Sequence, residues 1–105
     1  MTNYPLVLDR LVDTIVRQAH PVRIILFGSA ARGDMNRDSD LDLLIVMPNG
    51  THRLRTAQNL YMAIGDIPGS IDLLVATLSD LENHGENPGL IYRTILNEGK
   101  VLYAT

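Results

Sequence analysis

Residues 27–46 read Phe27-Gly28-Ser29-Ala30-Ala31-Arg32-Gly33-Asp34-Met35-Asn36-Arg37-Asp38-Ser39-Asp40-Leu41-Asp42-Leu43-Leu44-Ile45-Val46. An apolar run over 22–27 ends in a Gly-Ser turn, and a second apolar run, over 41–47, opens at two aspartates one residue apart. Side chains alternate faces along a strand, so Asp40 and Asp42 point the same way, about 7 Å apart along the chain. Two such carboxylates repel unless a cation sits between them. Hard oxygen donors of this kind suit Mg²⁺, which takes one or two carboxylates and leaves positions for phosphate oxygens. A turn that can cradle phosphate, next to carboxylates that can hold metal, points to nucleotide chemistry.

Gly28 allows the backbone to approach an anion closely. The N–H groups of a turn entering a helix can bind phosphate, and Ser29 adds a hydroxyl donor. Arg32, three residues on, can reach the same anion through charge-assisted hydrogen bonds. Each of these residues taken alone is ordinary: most Gly-Ser pairs are plain turns, and most arginines are solvated. Asp72 is the independent element. It lies near the start of another apolar run, over 71–76, where a single aspartate reads as a solvated strand end. One helical crossover separates its strand from that of Asp42, and consecutive elements usually pack as neighbours. Three carboxylates on adjacent strands suit one or two divalent cations, which in two-metal chemistry lie about 3.5–4 Å apart and clamp the attacking and leaving oxygens.

The rest of the chain frames this centre. Leu8, Leu11, Val12, Ile15, Val16 and Ala19 recur at helical spacing and predict an amphipathic helix over 6–19, stopped by Pro21. A short helix begins over 30–34. Pro48-Asn49-Gly50 is a turn, and Thr51 can cap a helix whose buried stripe is Leu54, Ala57, Leu60, Tyr61 and Ile64. Pro68-Gly69 breaks the chain before the third strand. Ser79 and Glu82 fit a capping box, 83–89 is a loop, and a last helix over 90–97 closes at Gly99. A short edge strand over 101–103 ends the pattern. This order predicts an α/β (or α+β) fold, a small mixed sheet covered by helices on at least one face.

Bulk composition sets the outer bounds. With 105 residues, 46% of them hydrophobic, the chain supports a core and reads as one domain over 1–105. A net charge of −3 argues against direct, sequence-independent binding of nucleic acid, while a nucleoside triphosphate needs only a few local cations. The absence of cysteine excludes thiol nucleophiles and zinc–thiolate sites and fits a reducing cytoplasm. No apolar run approaches the roughly 20 residues of a membrane span, and the N-terminal residues do not read as a secretion signal. His20, His52 and His84 lack ligand spacing, and Met35, Met47 and Met62 read as packing residues.

Gly28-Ser29, Arg32-Gly33, Ser39-Asp40-Leu41-Asp42 and Asp72 together resemble the nucleotidyltransferase superfamily that includes DNA polymerase β and, at this length, its minimal nucleotidyltransferase branch. The resemblance implies the nucleotidyltransferase-type fold. It implies a metal centre, two Mg²⁺ ions held by Asp40 and Asp42, with Asp72 completing the site and helping to activate the incoming hydroxyl. It implies a triphosphate held by Gly28 and Ser29, with Arg32 and Ser39 assisting. The reaction so implied is attack of a hydroxyl on the α-phosphorus of a nucleoside triphosphate, ATP being the usual donor, with loss of pyrophosphate. Many minimal members are similar to antitoxins that transfer AMP to a tyrosine of a HEPN-domain toxin. Two alternatives stand beside that reading: an antitoxin that neutralises its partner by binding alone, and an enzyme that nucleotidylates a small-molecule hydroxyl.

Overall fold

The computed structural model describes residues 4–28, 31, 41–65, 70–84 and 91–105. The elements are α1 (Tyr4–Ala19), β1 (Arg23–Phe27), β2 (Leu41–Met47), α2 (Arg53–Ile64), β3 (Ile71–Thr77), α3 (Leu78–His84), α4 (Ile91–Glu98) and β4 (Lys100–Ala104). The strands form one mixed sheet in the order β3-β2-β1-β4. β1 is antiparallel to both of its neighbours, and β2 and β3 are parallel. Parallel neighbours need a crossover, and α2 supplies it.

Strand β2 is the middle of the core. Alternate residues feed opposite layers, as strand geometry requires. Leu41, Leu43, Ile45 and Met47 pack with Leu11 and Ile15 of α1 and Leu60 of α2. Leu44 and Val46 pack with Ile25, Ala76 and Ile95 of α4 on the other face. The expectation of helices on at least one face therefore resolves to helices on both. A strand sealed on both sides explains the near-continuous apolar run over 41–47. Truncating one of its fully buried leucines to alanine costs about 2–5 kcal/mol.

Element ends follow local chemistry. α1 ends where His20 takes a positive φ of 51°, after its N–H has donated to the Val16 carbonyl at 3.0 Å. The chain thereby turns out of the helix ahead of Pro21. Gly99 lets α4 dock closely on β1, since a Cβ at that position would come within 2.5 Å of Ile25 Cγ2 and 3.1 Å of the Leu26 carbonyl oxygen. In β4, Ile24 pairs with Tyr103 and Ile25 with Val101, so Leu102 is the extra residue of a bulge.

Several sequence expectations shift. The cap of α2 is His52, not Thr51: His52 has extended backbone and its ring accepts the Arg55 N–H, at 3.1 Å through Nδ1. The Thr51 hydroxyl turns back and donates to the Pro48 carbonyl at 2.8 Å. The expected stripe on α2 is narrower, with Leu60 buried and Ala57 and Ile64 packed on the core. Leu54, in the first turn, is 64% exposed and Tyr61 41%. Met62, expected to pack, is 82% exposed. The capping box lies two residues earlier than Ser79–Glu82. Thr77 N–H donates to Asp80 Oδ2 at 2.9 Å, and Asp80 N–H returns to Thr77 Oγ1 at 3.3 Å. Ser79 N–H donates instead to Asn49 Oδ1 at 2.8 Å. The expected loop over 83–89 starts later, because Asn83 and His84 belong to α3. The break at Pro68-Gly69, and the start of a helix over 30–34 apart from the buried Ala31, lie outside the described residues.

The Thr77 N–H, the Thr77 hydroxyl and the Arg53 guanidinium, 3.1 Å away, together outweigh desolvation and hold the Asp80 carboxyl below its ordinary value of 3.8. A carboxyl whose pKa falls on folding stabilises the native state above its unfolded pKa and loses that contribution as pH drops through the folded value. Asp80→Ala should therefore cost about 1 kcal/mol in urea denaturation at neutral pH. The gap to wild type should narrow when the titrations are repeated at pH values below 3.8.

Candidate functional site

The site forms where β1 ends and where β2 and β3 both begin. Asp42 is the second residue of β2 and Asp72 the second residue of β3. The parallel register sets these two directly beside each other, on strands about 4.8 Å apart. Asp42 has the same parity as Leu44 and Val46, and Asp72 the same parity as Leu74 and Ala76, all packed in the layer beneath α4. Both aspartates therefore point to that face. Asp42 is half-buried and Asp72 exposed. Across the antiparallel ladder Asp42 lies opposite Phe27, which brings it to the turn that leaves β1.

That turn is built around Asp42. Gly28 has φ +76°, and a Cβ added there would collide with Asp42 Oδ2 and stand 3.3 Å from its Cγ. Glycine at 28 therefore answers two demands, a left-handed backbone and room for the carboxylate. The sequence by itself shows only the freedom to approach an anion. The second demand depends on the β1–β2 register, which no local pattern reveals.

The structure thus brings together three of the expected site residues, Gly28, Asp42 and Asp72. Ser29, Arg32, Ser39 and Asp40 lie outside the described residues. Two adjacent carboxylates, one of them open to solvent, form a hard, anionic donor set. Their mutual repulsion is relieved by a divalent cation, so the residues present fit Mg²⁺ or Mn²⁺. A groove between α1 and β4, lined by Leu8, Val12, Val16, Leu102 and Tyr103, opens on the opposite side of the sheet, where these residues join the α1 core layer. It contributes nothing to the acidic pair.

The family model for the nucleotidyltransferase domain matches residues 8–102. The chain belongs to the nucleotidyltransferase domain family. It is a transferase, and its mixed four-stranded sheet with flanking helices is the fold of its structural neighbours. A nucleotidyltransferase candidate from Sulfolobus solfataricus superposes with a TM-score of 0.63 at 17% identity, over 93% of this chain and 78% of that one. A toxin–antitoxin protein crystallised with AMP-PNP gives 0.57 at 24% identity, over 92% and 73%. A candidate minimal nucleotidyltransferase gives 0.55 at 27% identity, over 88% and 85%. No curated protein matches the chain. Among the described residues, no helix is long and apolar enough to cross a membrane.

Gly28→Ala should lose at least about 1–2 kcal/mol in chemical denaturation, the cost of a left-handed non-glycine residue. The contact with Asp42 should add to that loss, so Gly28→Ala and Asp42→Ala together should cost less than the sum of their separate losses.

Proposed function

We propose that this chain transfers AMP from ATP to a hydroxyl of a partner protein within a toxin–antitoxin pair, the acceptor being a tyrosine of a HEPN-domain toxin. The observation that carries the reading is the in-register pairing of Asp42 with Asp72 beside the Gly28 turn, in a chain of the nucleotidyltransferase family. Folds shared with a toxin–antitoxin protein crystallised with AMP-PNP and with the MntA–HpeT toxin–antitoxin pair support the biological setting. In this reading residues 1–105 act as a single nucleotidyltransferase domain.

In this reading the labour divides as the family resemblance implies. Gly28 and Ser29 hold the triphosphate through backbone N–H groups and the Ser29 hydroxyl, with Arg32 and Ser39 binding further oxygens. Asp40, Asp42 and Asp72 form the acidic centre. Two Mg²⁺ ions held there would lower the pKa of the acceptor hydroxyl and neutralise charge on the departing pyrophosphate. Asp72, exposed at the start of an edge strand, lies open to an incoming acceptor and takes the hydroxyl proton. The acceptor oxygen bonds to the α-phosphorus, the bond from that phosphorus to the α–β bridging oxygen breaks, and pyrophosphate leaves. Such a reaction asks the protein chiefly for positioning and charge neutralisation.

Incubating the chain with a HEPN-domain partner, ATP and Mg²⁺ should add one or more AMP units to the partner, read by intact-mass spectrometry. Asp42→Asn and Asp72→Asn should each lower that transfer by at least about a hundredfold with an unchanged far-UV circular dichroism spectrum. Variants that fail to transfer yet still neutralise the toxin in cells would favour neutralisation by binding alone. Labelling of a small molecule, with the partner's mass unchanged, would move the acceptor away from protein.

A further inference from the structure

Among the described residues β3 is an edge strand, with β2 on one side and no strand on the other. Alternate residues of an edge strand turn their N–H groups outward, where pairing has to come from elsewhere. The outward N–H of Leu73 is met by a side chain: it donates to the Tyr61 hydroxyl at 2.8 Å. That N–H belongs to the peptide joining Asp72 to Leu73. Asp72 is only the second residue of the strand, with little strand before it to hold it in line. Its peptide is thus fixed from two sides, by the β2 register and by a hydroxyl from the last turns of α2. Tyr61 can reach the edge because it stands at the flank of α2 rather than in the buried stripe, and the Gly65 N–H caps the helix on its carbonyl at 3.1 Å.

We propose that Tyr61 is a positioning residue for the acidic pair: by accepting the Leu73 N–H, its hydroxyl sets where the Asp72 carboxylate stands beside Asp42. The premise is that Asp72 is a metal ligand, as proposed above. The side chain of Asp72 points to the α4 layer while Tyr61 comes from the α2 layer, so Tyr61 acts through the backbone. Removing the hydroxyl leaves the Leu73 N–H to water and the start of β3 held from one side only. The carboxylate then samples a wider range of positions relative to Asp42, and a cation that needs both oxygens binds less tightly.

The test is a titration of the full chain with Mn²⁺ alone, followed by electron paramagnetic resonance of the free ion, well below the melting temperature of every variant. Tyr61→Phe keeps the ring and deletes the acceptor. It should weaken Mn²⁺ binding by about 2- to 10-fold, the worth of one hydrogen bond, and speed amide exchange at Leu73. In the Asp72→Asn background the same substitution should have no further effect on Mn²⁺. Ala57→Gly, which loosens α2 without touching the hydroxyl, should leave Mn²⁺ binding at the wild-type value. Asp72→Asn weakening Mn²⁺ while Tyr61→Phe binds it like wild type would overturn the positioning role alone. An equal weakening by Ala57→Gly would overturn it as well, by showing a general effect of α2 stability. Wild-type binding by Asp72→Asn would overturn the metal-ligand reading and the positioning role with it.

Discussion

Two like charges stand side by side because β2 and β3 run parallel and in register from their first residues. The rest of the site depends on that alignment. A shift of one residue would send Asp72 to the opposite face of the sheet and dissolve the pair. The alignment is enforced by apolar burial further along the same strands. Leu43, Ile45 and Val75 are locked into the layer under α1 and α2, and Leu44, Val46 and Ala76 into the layer under α4. The core thus holds the two aspartates beside each other at its own border. Coulomb repulsion between carboxylates at strand spacing is tolerable in solvent and much reduced by a counter-cation.

The border position also explains the graded exposure of the two groups. Asp42 is inside the sheet, flanked by β1 and β3, and its carboxylate lies over the Cα of Gly28. Asp72 is on the outer strand and open to solvent. One carboxylate is built into the frame while the other faces whatever arrives. That asymmetry suits a centre that must hold one component fixed and admit another. It arises from strand order alone.

Much of this was legible in the sequence because the two relevant signals are local. The alternation of aspartates with leucines over 40–43 and the apolar run that follows specify a strand with acidic residues at its head. The Gly-Ser step marks a tight exit from the preceding strand. The crossover between β2 and β3 could be inferred from the helical spacing of Ala57, Leu60 and Ile64. Less legible were features that depend on what lies across space. Thr51 and His52 both carry possible caps, and the Thr51 hydroxyl is taken up by the Pro48 carbonyl. Thr77-Leu78-Ser79-Asp80 and Ser79-Asp80-Leu81-Glu82 both fit the capping pattern, and Arg53 from another element reinforces the first. Tyr61 reads as a core residue by periodicity. Its place at the flank of α2 brings its hydroxyl to β3, a strand whose position no local pattern supplies.

The bulge at Leu102 bears on how this small sheet behaves in a crowded solution. A flat terminal ribbon invites other chains to zip onto it. An inserted residue interrupts the even spacing of donors and acceptors and bends the ribbon, so a foreign ribbon finds no continuous template along β4. The irregularity thereby discourages stacking into fibrils at the β4 flank of the sheet, across β1 from the Asp42–Asp72 pair.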